Sequence, residues 1–170
     1  MNHAENKLKW CLDKAKKESE QGKSHRGLVK KEPDMNEARD HIAKAEHDFS
    51  AISYMEKGGY SDWSIDAAFY SIYHCFLAIA EKFGYESRNQ ECTIALVKVL
   101  RESGKIDLDE KFVKAIEAYS SDKKGEKNLI EKREFYAYGT TTDVKNKEEI
   151  KRSAELCKEC IAQTKKVIFG

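Results

Sequence analysis

Between Ser61 and Phe83 the apolar residues Ile65, Phe69, Ile72, Phe76, Ile79 and Phe83 recur at intervals of three and four, the period of an α-helix. A second set of positions is small: Ala67, Ala68, Ser71, Cys75 and Ala78. Small side chains let a neighbouring helix approach closely. A rod that is apolar on more than one side belongs in the middle of a bundle rather than on its surface. Ser61 stands where a helix N-cap would, and Gly84 stands where a glycine often follows the last turn. Tyr70, Tyr73 and His74 add polar tips to this rod.

The flanking segments repeat the helical period. Residues 4–20 carry Leu8, Cys11, Leu12 and Ala15 on one side, followed by the stretch GKSHRGLVKKEPD. A second helix starts near Asp34 or Asn36, with an inward stripe of Ala38, Ile42, Ala45, Phe49, Ile52 and Met55, and ends at Gly58 and Gly59. A fourth runs from about Asn89 to Ser103, turning Cys92, Ile94, Val97 and Leu100 inward, before Gly104. A fifth spans about Asp109 to Tyr119 and buries Phe112, Ile116 and Tyr119; the polar stretch SSDKKGEKN follows it. A short helix over Leu129–Tyr138 stops at Gly139, and a last one runs from about Asn146 to Ile168 along Ile150, Ala154, Cys157, Ile161, Thr164 and Ile168. Short connections make successive helices antiparallel neighbours. The expected fold is an all-α, up-and-down bundle of four to five helices over residues 34–170. An extra N-terminal helix and basic arm occupy residues 1–33.

Composition agrees with this: 36% of the residues are charged and proline occurs once, at Pro33, as suits a helical protein. The net charge of +1 gives no global reason to expect a polyanion. Locally, nine Lys/Arg against five Asp/Glu lie between Met1 and Glu32. No apolar run approaches the roughly 20 residues that cross a bilayer, and the start MNHAENKLKW does not read as a secretory signal. A cytoplasmic location is therefore expected, with the five cysteines (Cys11, Cys75, Cys92, Cys157, Cys160) as reduced thiols.

Three blocks resemble the HEPN (higher eukaryotes and prokaryotes nucleotide-binding) domain family. They are the alanine-spaced helix AKAEHDFSAISYMEKGGYSDW (43–63), the helix AAFYSIYHCFLAIAEKFGYESRNQ (67–90) and the late element EKREFYAYG (131–139). With the closing helix they span roughly residues 35–168. The resemblance implies a homodimer, with the aromatic edges of the helix from Trp63 to Phe83 as its seam. It implies either an RNA-cutting site at that seam or a partnership with a separately encoded minimal nucleotidyltransferase, and it requires no metal or cofactor. In catalytic members four to six residues separate an arginine from a histidine that follows it. Arg133 matches the arginine; Tyr138, Gly139 and Thr140 occupy the histidine's positions. Tyrosine, with an ordinary pKa near 10, is a poor base at neutral pH.

Two kinds of function follow. The first is a non-catalytic module that binds nucleotide or RNA phosphate, or pairs with a nucleotidyltransferase. Arg133 would hold the phosphate, with Tyr136 or Tyr138 adding a hydroxyl or a stacking face. The second is a ribonuclease toxin of a toxin–antitoxin pair, with Arg133 and a displaced base such as His74. The missing histidine favours the first.

Each candidate also has a structural reading. Arg133 could equally pair with a neighbouring carboxylate at a helix end. A histidine in an aromatic helix is more often a packed core or interface group than a catalyst, so His74 is read first as structural. The arm's Lys23, His25, Arg26, Lys30 and Lys31 can contact phosphates, but no aromatics are interleaved, and a solvated linker is the favoured reading. Leu28 and Val29 in its middle suggest that it packs on the bundle. Cys157-Lys-Glu-Cys160 has the spacing of half a zinc site, without a second pair and with Cys157 on an apolar stripe. His3, His41 and His47 show no ligand spacing, so no metal is expected. Nor is there a glycine-rich phosphate loop or a nucleophile elbow.

Overall fold

The computed structural model describes residues 1–117 and 127–170. Tyr119 and most of the polar stretch 120–128 lie outside the described residues. The elements in chain order are α1 (His3–Glu20), β1 (Leu28–Lys30), α2 (Met35–Lys57), α3 (Ser61–Lys82), β2 (Tyr85–Ser87), α4 (Gln90–Glu102), α5 (Glu110–Ile116), α6 (Leu129–Tyr138) and α7 (Lys147–Phe169). The chain forms the expected all-α bundle. Short polar residues start most of these helices: Asn2, Asp34, Asn89, Asp109, Asn128 and Asn146 each accept a backbone N–H of the first turn.

α3 is the central rod. Ile65, Ala68, Phe69, Ile72, Cys75, Phe76, Ala78 and Ile79 are all fully buried. It packs most extensively on α2, then on α7. Its small residues bring the backbones close enough for hydroxyl-to-carbonyl bonds. Ser64 Oγ donates to Ile52 O and Ser71 Oγ to Ala45 O, each at 2.8 Å, and Cys157 Sγ donates to Ala68 O at 3.2 Å. These pairings set α2 antiparallel to α3. α7 runs parallel to α3, because Cys157 meets Ala68 and Lys82 Nζ reaches the Val167 and Ile168 carbonyls.

Four local expectations need correction. Ser61 is the first helical residue rather than the cap. Its hydroxyl donates to Asp143 Oδ1 (2.7 Å) and accepts from Val144 N (2.8 Å), pinning the approach to α7. On α2, Ala38, Ile42, Ala45 and Ile52 are buried as expected, but the inward residue between Ala45 and Ile52 is Asp48. Phe49 and Met55 are only partly buried.

Cys11 and Cys92 are not free thiols. They form a disulfide joining α1 to α4 across 81 residues, while Cys75, Cys157 and Cys160 stay reduced and buried. Finally, the arm is not a solvated linker. Residues 28–30 form an antiparallel ribbon with β2, with Val29 opposite Glu86. Leu28 is fully buried there. Gly27 passes so close to α1 that a Cβ would lie 2.4 Å from Cys11 O. Gly84, at φ +76°, packs where a Cβ would meet Lys31 O at 2.6 Å, so only glycine suits it on both counts.

Phe76 is fully enclosed on α3. Phe76→Ala should lower unfolding free energy by about 3–5 kcal/mol; a denaturant midpoint equal to the parent's would contradict the central placement. Closing so long a loop with a disulfide contributes about 2–4 kcal/mol. The parent should therefore melt at lower temperature with reductant than without, and equal melting in both states would show the bond adds nothing.

Candidate functional site

Asp66, Tyr70 and His74 follow one another at four-residue intervals on α3 and share a face. Elements on either side supply partners at the two ends of this stripe, which by helix rise is about 12 Å long.

At the first end, α6 delivers Arg133. Its Nε lies 3.5 Å from Asp66 Oδ1, and both side chains are largely buried. The guanidinium carbon sits 4.5 Å from the centre of the Phe69 ring and 5.5 Å from that of Tyr70, within the range of cation–π attraction. Nε is buried without a hydrogen-bond partner among the described residues. The helix-end pairing with a carboxylate is thus present, but it is an electrostatic contact that leaves a donor unspent. Burial raises the Asp66 carboxyl above its ordinary range, with Arg133 pulling it back and Asp62 adding to the rise.

At the second end, His74 meets α2. Its Nδ1 lies 3.0 Å from His41 Nδ1, and its Nε2 lies 3.9 Å from Asp48 Oδ2. Asp48 Oδ1 accepts from Lys44 Nζ at 2.5 Å and lies 3.3 Å from His47 Nδ1, whereas Oδ2 is buried without a partner. His41 Nε2 faces Glu37 Oε1 at 3.8 Å. Burial, with His41 and Lys44 alongside, pushes His74 down from 6.5 to about 4, against the pull of Asp48. Burial also lowers His41, assisted by Lys31 and opposed by Glu37 and Asp40.

The remaining candidates divide by position. Tyr136 is partly buried, its hydroxyl pKa raised by burial and by Glu149 and Asp143; Tyr138 is 80% exposed. Tyr70 is exposed between the two ends of the stripe, and Trp63 and Phe135 are also exposed. Arg26 and Lys30 are exposed around β1, but Lys31 is turned onto Glu81 Oε2 at 2.5 Å. Glu81 lies at the far end of α3 from Asp66, about 22 Å along the axis. The arm's cations and Arg133 therefore do not form one site.

The Cys157–Cys160 pair faces the core. Burial pushes the Cys157 thiol up to about 12 and Cys160 well above its usual value. Among the described residues no group of three or more His, Cys, Asp or Glu is placed to hold a metal ion, and no helix is long and apolar enough to cross a membrane.

His41 and Asp48 were missed from the sequence. The available signal was α2's own period: 41, 45, 48 and 52 fall at intervals of four, three and four, so both polar residues ride the face that meets α3. No family model, characterised protein or solved structure matches the chain.

The sign of one pH effect follows. The unfolded chain takes up a proton at His74 as pH falls through 6.5, and the folded chain refuses it until about 4. Stability present above pH 6.5 is therefore lost as pH falls toward 4. His74→Gln should flatten that part of the stability–pH curve, measured by urea unfolding between pH 7.5 and 4.5. An unchanged slope would show that His74 does not titrate in this way.

Proposed function

We propose that this chain is a HEPN-like, non-catalytic binding module that recognises RNA or nucleotide phosphate through Arg133. The observation that carries this is the state of Arg133. The guanidinium is held against Phe69 and Tyr70, its carboxylate partner is too far for a hydrogen bond, and Nε has no acceptor among the described residues. The Arg133 side chain stays 16% exposed, and an anion reaching its exposed part gains charge-assisted hydrogen bonds from a group already held in place. Exposed Tyr70 and Tyr138 offer stacking faces to a base. The all-α bundle and the order of the three sequence blocks support the family reading. In this reading the module works as a homodimer across the exposed aromatic edge of α3. Chemistry, where needed, comes from a separately encoded nucleotidyltransferase. The module acts in the cytoplasm. There the Cys11–Cys92 bond would be reduced, and packing of α1 on α4 would have to hold the N-terminal segment.

One observation favours the ribonuclease reading as the alternative: His74 lies on the same face of α3 as Tyr70, one turn from the residue that Arg133 covers. A single assay separates the two. Purified protein is titrated into a fluorescent single-stranded RNA at low salt, and the RNA is then run on a denaturing gel. Anisotropy should rise saturably with the RNA intact, and Arg133→Ala should weaken binding about tenfold or more, the worth of one or two charge-assisted bonds. Cleavage that disappears in Arg133→Ala would establish the enzyme instead. No binding of RNA or nucleotide by the parent protein would remove the phosphate-binding role.

A further inference from the structure

The basic arm has no aromatic residue, but the helix on which it packs carries one in the open. Trp10 is 50% exposed on α1. Lys7 Nζ lies 4.4 Å from the centre of its ring and Lys14 Nζ 5.2 Å, both within the range of cation–π attraction. At 3.6 residues per turn, Lys7, Trp10, Lys14 and Lys17 fall within an arc of about 80° and span about 15 Å of helix. No acidic residue of α1 shares that arc. Lys23 and Arg26, both exposed, follow at the last turn of α1, where their backbone N–H groups bond to Glu18.

The balance of charge along this stripe is positive. Glu91 takes Lys7 at 2.6 Å, and exposed Asp13 borders the arc; both oppose an anion. Glu18, on the other border, is engaged by the Arg26 N–H at 2.6 Å. Lys14 and Lys17 meet no carboxylate among the described residues. A flat ring set among ammonium groups suits a ligand that carries both bases and phosphates: the ring offers a stacking face, the lysines offer charge. Bases inside a duplex are already stacked on one another, so the fit is to a single strand. A membrane surface fits less well. An amphipathic helix inserts through its apolar face, and that of α1 is spent, with Ala4, Cys11 and Ala15 buried and Cys11 bonded to Cys92 of α4.

We propose that the outward face of α1 binds single-stranded nucleic acid, Trp10 stacking on one base while Lys7, Lys14 and Lys17 contact the flanking phosphates. The surface is separate from Arg133. α1 packs on α4 and β1, whereas Arg133 reaches α3 from α6. Its contacts are to backbone charge and to the π-face that every base has, so sequence preference is weak. It stands whether or not Arg133 takes phosphate.

Tryptophan fluorescence reads this surface directly, because the chain has only Trp10 and Trp63. The full chain carrying Trp63→Phe is titrated at low salt with hexauridylate RNA and with hexathymidylate DNA. Either should quench Trp10 saturably. The logarithm of the binding constant should fall against the logarithm of salt concentration with a slope of about −2, as three phosphate contacts on a single strand give. Lys14→Gln together with Lys17→Gln should reduce that slope to about −0.7. Quenching should persist when Arg133→Ala is added, so that failure of this surface and failure of the Arg133 site are told apart. In that Arg133→Ala background, Trp10→Ala should weaken binding of a labelled hexamer about fivefold or more by anisotropy, the worth of one stacked base. Trp10, Lys14 and Lys17 lie outside the core, and circular dichroism should show their variants folded. No quenching, quenching indifferent to salt and to the lysine pair, equal affinity for a hairpin duplex, or a Trp10 response to vesicles of anionic phospholipid alone would each overturn the proposal.

Discussion

The close approach of α2 to α3 is the contact on which the rest of the structure depends. It is made possible by small residues, and it is made specific by two hydroxyls. Ser64 and Ser71 are fully buried, and each would be costly there without an acceptor. Each finds one in a carbonyl of α2, Ile52 and Ala45 respectively. Seven residues separate both the two donors and the two acceptors, so both bonds form in a single antiparallel register. That register also decides which polar residues of α2 meet α3. Ala45 opposite Ser71 brings His41 to His74 one turn further on, with Asp48 beside it. The histidine pair is thus a consequence of how the core packs rather than a separate surface feature.

The N-terminal segment adds a second layer of constraint. It is attached to the bundle by dissimilar means: a covalent bond from α1 to α4, a three-residue ribbon to β2, and Lys31 on Glu81 at the end of α3. The backbone bonds Lys31 N to Gly84 O (2.9 Å) and Asp34 N to Glu81 O (3.1 Å) carry the strap directly into the cap of α2. Asp34 therefore starts α2 at a position already tied to the end of α3. The cation lost to Glu81 is one that the sequence offers for phosphate binding, and the fold uses it for docking instead.

Helices were legible because burial on one face leaves a periodic record along the chain. The limits of α2, α4, α6 and α7 follow from Asp34, Asn89, Gly139 and Asn146 with little error. What escaped depends on partners distant in sequence. Asp48 and Phe49 are adjacent, and only the angle of α2 against α3 decides that the carboxylate rather than the ring turns inward. Cys11 and Cys92 look like two more apolar helix positions until α1 and α4 are laid together. Three residues of β1 are too short to show alternation, and nothing local names β2 as their partner. Ser61 has the chemistry of a cap, but Asp143 and Val144 lie 82 and 83 residues away and claim its hydroxyl. Arg133 was legible as a charge at a helix, whereas Asp66 as its companion was not.

The window after Arg133 explains why an imidazole there would not serve this site. Tyr138 faces solvent, and Thr140 is exposed as well. Between them Gly139 closes α6 so tightly that a Cβ would lie 2.5 Å from Phe135 O, a distance that forces the backbone to move. A histidine in place of Gly139 would break the end of the helix that positions Arg133, and one in place of either neighbour would extend into water. The nearest imidazoles on that side of the bundle are instead on α2 and α3, where burial disfavours their charged form. Arg133 lies against the Phe69 and Tyr70 rings, and the two histidines lie against each other. The two groups sit at opposite ends of the Asp66–Tyr70–His74 stripe, so the guanidinium and the imidazoles do not converge on one point.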